Sequence, residues 1–425
     1  MSRVIRVSSG RGVLRSAPRF VRVLLSIVFL VSLPLSAAQA QHAIDWSKRP
    51  VLLLTMGQGD EVFEKFGHNA IVVWDDSAGQ PLVYNWGMFD FQQPNFIGRF
   101  LSGDTKYWME PRSIAQTMDQ YTYLNRTVIA EELQLTSTQK ARLVAMLRTN
   151  ALDENKYYRY DYYRDNCSTR ARDAIDAVTG GALKRAMTAQ PGQGSYRWHT
   201  RRLLAYDAPL YFGAELVLGV DADPILSGWE ESFLPQSLSE SLRRIELPAA
   251  EGLPVRLLVA PIDTLFSAQR EPEPRTVTLK LGLSAGVGAV IGLLLLLVTR
   301  LGRIGAAIAL IGWGLLSALV GCVLLGMWFA TKHVYMANNP SVALLNPAWL
   351  LSAVAGVMVL RGGAPRGVRS ALRWLLVIAV VGTAGAVMLG HAGSAVELAA
   401  LVLPGHAAAV YAVDRCRRKL SVPPP

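Results

Sequence analysis

The chain has 425 residues, a hydrophobic fraction of 51%, a mean hydropathy of +0.25 and a net charge of +11. That length allows more than one domain, and the apolar content is high for an ordinary soluble protein. The charge is segregated: residues 1–40 carry +6, residues 300–425 carry +9, and residues 41–299 between them carry −4. The basicity therefore belongs to targeting and topology, which excludes nucleic acid as a partner.

In chain order, the first forty residues hold Arg3, Arg6, Arg11, Arg15, Arg19 and Arg22 and no acid, then an apolar stretch over 23–35 and Ala38-Gln39-Ala40 before Gln41. A basic region, a short apolar region and a small-x-small site predict a cleaved signal peptide over 1–40, with an uncleaved anchor as the alternative. Residues 41–271 form the exported domain. The apolar run 51–56 ends at Gly57-Gln58-Gly59 and reads as a buried strand and a turn. Residues 68–76 and 82–87 are rich in strand formers and flank the turn residues Ser77 to Pro81, which predicts a hairpin with a five-residue loop. Residues 121–133 form another β-rich piece. Thr136 with Gln139 three positions on predicts a capping box opening a helix to about Asn150. The tyrosine cluster over 157–163 runs into Arg164-Asp165-Asn166-Cys167. Beyond it Ala171, Ala174, Ile175 and Val178 fall at helical spacing, with Gly180-Gly181 as the stop, so Cys167 lies at a helix N-terminus. An amphipathic helix over 235–245 and a strand over 254–260 complete the domain.

After a linker at 272–277, apolar runs at about 278–299, 305–330, 342–360, 372–390 and 394–413 are each near the length that crosses a hydrocarbon core. The connections at 300–304 and 361–373 and the tail after 414 hold ten Arg and Lys, whereas those at 331–341 and 391–393 hold only Lys332. The positive-inside rule then predicts an all-α membrane domain over 278–413, an outside N-terminal domain and a cytoplasmic tail at 414–425. His333 and Asn339 fall at the outer face, as ordinary loop residues or as a polar rim that guides lipid headgroups.

Three cysteines are too few for a disulfide framework, and Cys167 alone lies in the exported domain. There it is either buried and inert or kept for its reactivity. A helix N-terminus and the nearby Arg164, Arg170 and Arg172 predict a lowered thiol pKa. Of the domain's histidines, His42 adjoins the cleavage site and His199 sits in an arginine-rich stretch. His68 opens a strand directly after Gly67, a rigid position for a general base. Within the exported domain no G-x-S-x-G, H-E-x-x-H or paired C-x-x-C pattern occurs, so neither a serine elbow nor a metal site is expected there.

Three spaced motifs occur in order: Phe66-Gly67-His68-Asn69-Ala70, the run from Tyr84 to Phe91, and the run from Tyr160 to Asp173. Together they resemble the Lnb-type N-terminal periplasmic domain family over roughly residues 50–185. The resemblance implies catalysis by His68 and Cys167, with Asn166 and Asp161 as candidates for orienting roles and no cofactor. The order of His on a strand before Cys at a helix start also resembles the circularly permuted, NlpC/P60-like branch of papain-like folds. The expected fold class is thus an α+β permuted papain-like periplasmic domain followed by an all-α transmembrane bundle in a bacterial inner membrane. The implied function is thiol-dependent acyl transfer from a phospholipid or a lipoprotein diacylglyceryl group to an amine, through a Cys thioester. Membrane phospholipid and lipoprotein are the implied partners. A papain-like thiol hydrolase or amidase of the envelope, and a non-catalytic envelope-binding module, are the alternatives.

Overall fold

Runs of large apolar residues with no polar alternation fit only a strand covered on both faces. In the computed structural model, which describes residues 44–247 and 255–418, Leu52–Met56 (β1) is such a strand, buried at all five positions. The expected leader, its cleavage site and His42 lie outside the described residues, as does the end of the tail. β1 pairs antiparallel with His68–Asp75 (β2) on one side and Val128–Leu133 (β5) on the other. β2 turns into Gln80–Met88 (β3), followed outward by Tyr107–Ser113 (β4) and Tyr157–Tyr158 (β6), while Leu258–Phe266 (β7) pairs with β5 at the other edge. The order of the seven strands is β7-β5-β1-β2-β3-β4-β6.

The two-residue period sends Leu53, Ile71 and Tyr84 to one face, where they meet Leu147 of Ser137–Ala151 (α3), Ile175 of Cys167–Val178 (α4) and Leu238 of Pro235–Arg244 (α7). Leu54, Val72 and Val83 line the opposite face and meet Tyr121 of Ile114–Tyr123 (α2). That helix corrects the β-rich reading of 121–133: only Val128–Leu133 is strand. Ser113 and Gln116 form a reciprocal capping box, so the chain enters a helix directly from β4. The short helix Phe96–Ser102 (α1) and β4 lie in a stretch for which no element was expected. The hairpin loop is one residue shorter than expected, because β3 begins at Gln80.

Among the described residues five helices are long and apolar enough to cross a membrane: Leu281–Arg300, Arg303–Ala330, Ser341–Leu360, Arg366–His391 and Gly393–Arg415. Small residues set their crossings. A Cβ at Gly288 of the first would come within 2.1 Å of the Ala400 carbonyl oxygen of the fifth. The sheet domain is fused to one end of this bundle by more than its linker. Tyr335, between the second and third membrane helices, packs among Tyr163, Tyr196 and Phe233. The Gly219 N–H donates to the Tyr335 carbonyl at 2.7 Å. Where the fourth meets the fifth, His391 Nδ1 lies 2.8 Å from Asp223, and Ser394 Oγ, in the first turn of the fifth, lies 2.7 Å from Arg201 of Tyr196–Leu203 (α5). Arg201 also pairs at 2.6 Å with the buried Glu215 of Ala208–Val217 (α6). Tyr211 Oη donates to Glu397 at 2.9 Å. The two connections that meet the sheet domain are those in which the sequence places only Lys332.

Glu215 holds Arg201 and faces Arg197 in this seam. The Glu215→Ala variant leaves buried guanidinium groups uncompensated, at a cost of about 3–5 kcal/mol. Thermal unfolding of the detergent-solubilised chain is expected to fall by several degrees. Tyr211→Phe, which removes one hydrogen bond worth about 1 kcal/mol, should move it far less.

Candidate functional site

The helix that carries Cys167 starts where it does because Asn166 caps it. Asn166 Oδ1 accepts from the Thr169 N–H at 2.9 Å, and its Nδ2 donates to the carbonyls of Tyr162 (3.0 Å) and Phe233 (2.9 Å). Upstream, Asp161 accepts from the N–H groups of Tyr163 and Arg164 and pairs with the Arg164 guanidinium at 3.0 Å, closing the loop that delivers the helix. Both of these expected orienting residues thus position the Cys167 helix through the backbone.

His68 is placed with equal rigidity. Gly67 has φ +78°, and a Cβ there would come within 2.8 Å of the Met56 carbonyl, so only glycine allows β2 to start beside the end of β1. Next to His68, the fully buried Asn69 donates from Nδ2 to Leu54 O (3.1 Å) and Thr55 Oγ1 (3.0 Å), while its Oδ1 lies 2.9 Å from Ser168 Oγ. Residues 68–69 and 167–168, far apart in sequence, are thereby pinned together.

The imidazole finds a partner that sequence reasoning missed. His68 Nε2 lies 3.3 Å from Asn85 Oδ1, and Asn85 Nδ2 donates to Val83 O at 3.1 Å. Because the amide nitrogen is already committed, the oxygen faces the ring and can only accept. The His68 proton therefore sits on Nε2, leaving Nδ1 with its free lone pair. The Tyr121 ring stacks against His68 at 6.2 Å. The Arg126 guanidinium lies over that tyrosine at 4.8 Å and pairs with the buried Glu64 at 3.2 Å. Burial lowers the His68 pKa to about 4, with the charges of Arg126 and Arg112 adding to the effect. The imidazole is neutral at pH 7.

Cys167 is buried, and burial raises its pKa above the ordinary thiol value although backbone N–H groups of Asn69, Ser168 and Cys167 itself favour the thiolate. This reverses the expected lowering. The three nearby arginines are committed elsewhere: Arg164 to Asp161, Arg170 to Asp165, and Arg172 to Asp173 and the face of Trp229. Beside the thiol, Gly87 has φ +85°, and a Cβ there would stand 3.7 Å from the Cys167 Cβ and 3.6 Å from the Tyr160 ring. No hydrogen bond joins the thiol to His68 among the described residues, so the resting site is a neutral thiol and a neutral, oriented imidazole. Such a pair supports nucleophilic attack once the proton moves from sulfur to nitrogen.

The remaining expected residues lie in the seam. His333 Nε2 donates to Phe100 O at 3.0 Å, and its ring lies 6.0 Å from that of Tyr162. Asn339 is buried, donates to Leu216 O at 2.8 Å and accepts from the Ser341 N–H. His199 is a buried structural residue held at 2.6 Å by Glu231. Among the described residues no three His, Cys, Asp or Glu side chains gather as metal ligands. A signal for Asn85 was present. Pairing of Ala70 with Asn85 puts His68 and Asn85 on the same face, one diagonal apart, but that needs the hairpin register.

Residues 36–205 match the family model of the Lnb N-terminal periplasmic domain, a span that contains both His68 and Cys167. Nothing matches among curated proteins, and nothing among solved structures. This match precedes the five membrane-length helices, an arrangement that suggests a bacterial membrane protein with a periplasmic N-terminal domain.

The raised thiol pKa has a direct readout. Iodoacetamide labelling of the Cys167 peptide, followed by mass spectrometry, should be slow at pH 7 and accelerate only above the ordinary cysteine value of 9.0.

Proposed function

We propose that the protein is a thiol-dependent acyltransferase working at the outer face of the inner membrane. It moves an acyl chain from a phospholipid, or from a lipoprotein diacylglyceryl group, to an amine. The observation that carries this reading is the bond of His68 Nε2 to Asn85, which leaves Nδ1 free to act as a base, while the neighbouring Asn69 is joined to Ser168 next to Cys167. Cys, His and Asn in these roles, with the histidine strand preceding the cysteine helix, favour a permuted papain-like architecture.

His68 Nδ1 takes the Cys167 proton as the sulfur attacks the ester carbonyl carbon. The oxyanion forms beside the backbone N–H groups at the start of α4. Collapse breaks the carbon–oxygen bond, and the alcohol leaves with the proton held by His68, giving a Cys167 thioester. An amine then attacks that carbonyl and loses a proton to His68. The amide departs, and the thiolate recovers the proton. Fusion of the domain to one end of the bundle supports a membrane lipid as donor. The lysine-poor and arginine-poor connections on that side and the basic tail on the other support an outside sheet domain and a cytoplasmic C-terminus.

Incubation with phospholipid labelled in the acyl chain should place hydroxylamine-sensitive label on Cys167. Cys167→Ala should abolish it, and His68→Ala should slow it about 10²–10⁴-fold. Full complementation by both variants would sink the catalytic reading, and resolution of the thioester by water alone would make the enzyme a hydrolase. The pH profile is distinctive. Because His68 works as the neutral base and its pKa is lowered to about 4, acylation should stay flat below the ordinary histidine value of 6.5 and fall only as pH drops through about 4. Asn85→Ala frees the ring to turn and should lower the rate about 10²-fold.

A further inference from the structure

We propose that an aromatic slab on the sheet domain is the path by which an acyl chain of an outer-leaflet lipid reaches Cys167, an inference that rests on the acyltransferase reading. Aromatic rings form a continuous ladder from the thiol outward. Tyr160 adjoins Gly87 beside Cys167. Its ring stacks on Tyr107 at 4.4 Å, and Tyr107 stacks on Phe89 at 5.0 Å. Phe89 in turn touches Phe63 (5.1 Å), Phe91 (5.0 Å) and Phe96 (6.0 Å). The outer end of this ladder is left in the open: Phe91 is 65% exposed and Ile97 of α1 is 73% exposed. A soluble domain rarely leaves such a contiguous patch unless something apolar covers it.

The patch stands at the level where the second membrane helix ends. That helix runs to Ala330. Two residues later the Lys332 N–H donates to Ser102 O at 2.8 Å, and His333 Nε2 donates to Phe100 O at 3.0 Å. Ser102 and Phe100 belong to α1, so α1 is bonded directly to the helix end. Trp328 and Phe329 stack there at 5.1 Å, with Phe329 exposed, as an interfacial aromatic pair would be. Arg99, Arg159 and Lys332 lie around the carboxylate of Asp104 at the same place. An apolar face rimmed by cations fits a phospholipid, with its phosphate at the rim and its chain on the rings.

The test uses the full chain in vesicles of phosphatidylethanolamine and phosphatidylglycerol, with tritium in the acyl chains and Cys167→Ala to remove any thioester. A benzophenone amino acid placed at Phe91 or Ile97 should capture labelled lipid several-fold more than one placed at the exposed Arg142 of α3. Capture no greater than at Arg142, or protein–protein crosslinks in place of lipid, would overturn the proposal; the latter would mean that a second copy covers the slab. A second measurement uses the native thiol. Phe91→Glu with Ile97→Glu should raise the lipid concentration for half-maximal Cys167 acylation about tenfold, equivalent to losing the burial of one large apolar side chain. An unchanged half-maximal concentration also counts against it. The two readings fail separately: lipid capture at Phe91 and Ile97 without any Cys167 acylation sinks the acyltransferase and keeps the slab, and the reverse pattern does the opposite.

Discussion

Asn69 is a buried amide whose nitrogen and oxygen are both committed to other elements. Its N–H groups tie β2 to β1 through Leu54 and Thr55, and its oxygen meets Ser168 at the start of α4. Leaving any one of these buried partners unsatisfied costs about 1–3 kcal/mol, so the arrangement is held far more tightly than hydrophobic packing alone would hold it. The residues on either side of this clamp are the pair proposed to be catalytic. His68 precedes Asn69, Cys167 precedes Ser168, and the Asn69 backbone N–H itself faces the thiol. The geometry of the site is therefore inherited from a structural hydrogen bond.

The electrostatics follow from the same burial. Desolvation disfavours the imidazolium at His68 and the thiolate at Cys167 alike, so the resting pair is neutral. A charged pair would be costly beside the aromatic ladder that leads out from Gly87. A neutral pair is compatible with an apolar substrate, and the proton moves only when attack begins. Arg126 contributes a positive field to both groups, yet its own charge is balanced by Glu64. Arg164, Arg170 and Arg172 close local ion pairs.

The seam with the membrane helices does comparable work at larger scale. Arg197, Arg201, Glu215 and Asp223 of the sheet domain form a largely buried charged network that extends to Ser394 of the bundle. Tyr335 enters an aromatic cluster of the sheet domain. Buried charges of this kind hold position sharply, because any displacement exposes an uncompensated ion. The site is consequently fixed in height relative to the membrane-length helices.

Much of this was legible in the sequence, for reasons that are local. Five apolar runs of spanning length, the strand at 51–56, the Thr136 cap, and the helix between Asn166 and Gly180 are written in periodicity and capping residues within a few positions of each other. The pairing of His68 with Cys167 came from motif resemblance; His68 lies at the start of β2 and Cys167 at the start of α4. What the sequence could not carry were consequences of register and burial. Asn85 meets His68 only because β2 and β3 pair as they do, and Tyr121 turns into a helix because Ser113 finds Gln116. The thiol pKa was misread because charge near in sequence was counted and desolvation was not. Local propensity is set by neighbours along the chain, whereas tautomer, pKa and the fusion of the two halves depend on groups brought together only when the chain has folded.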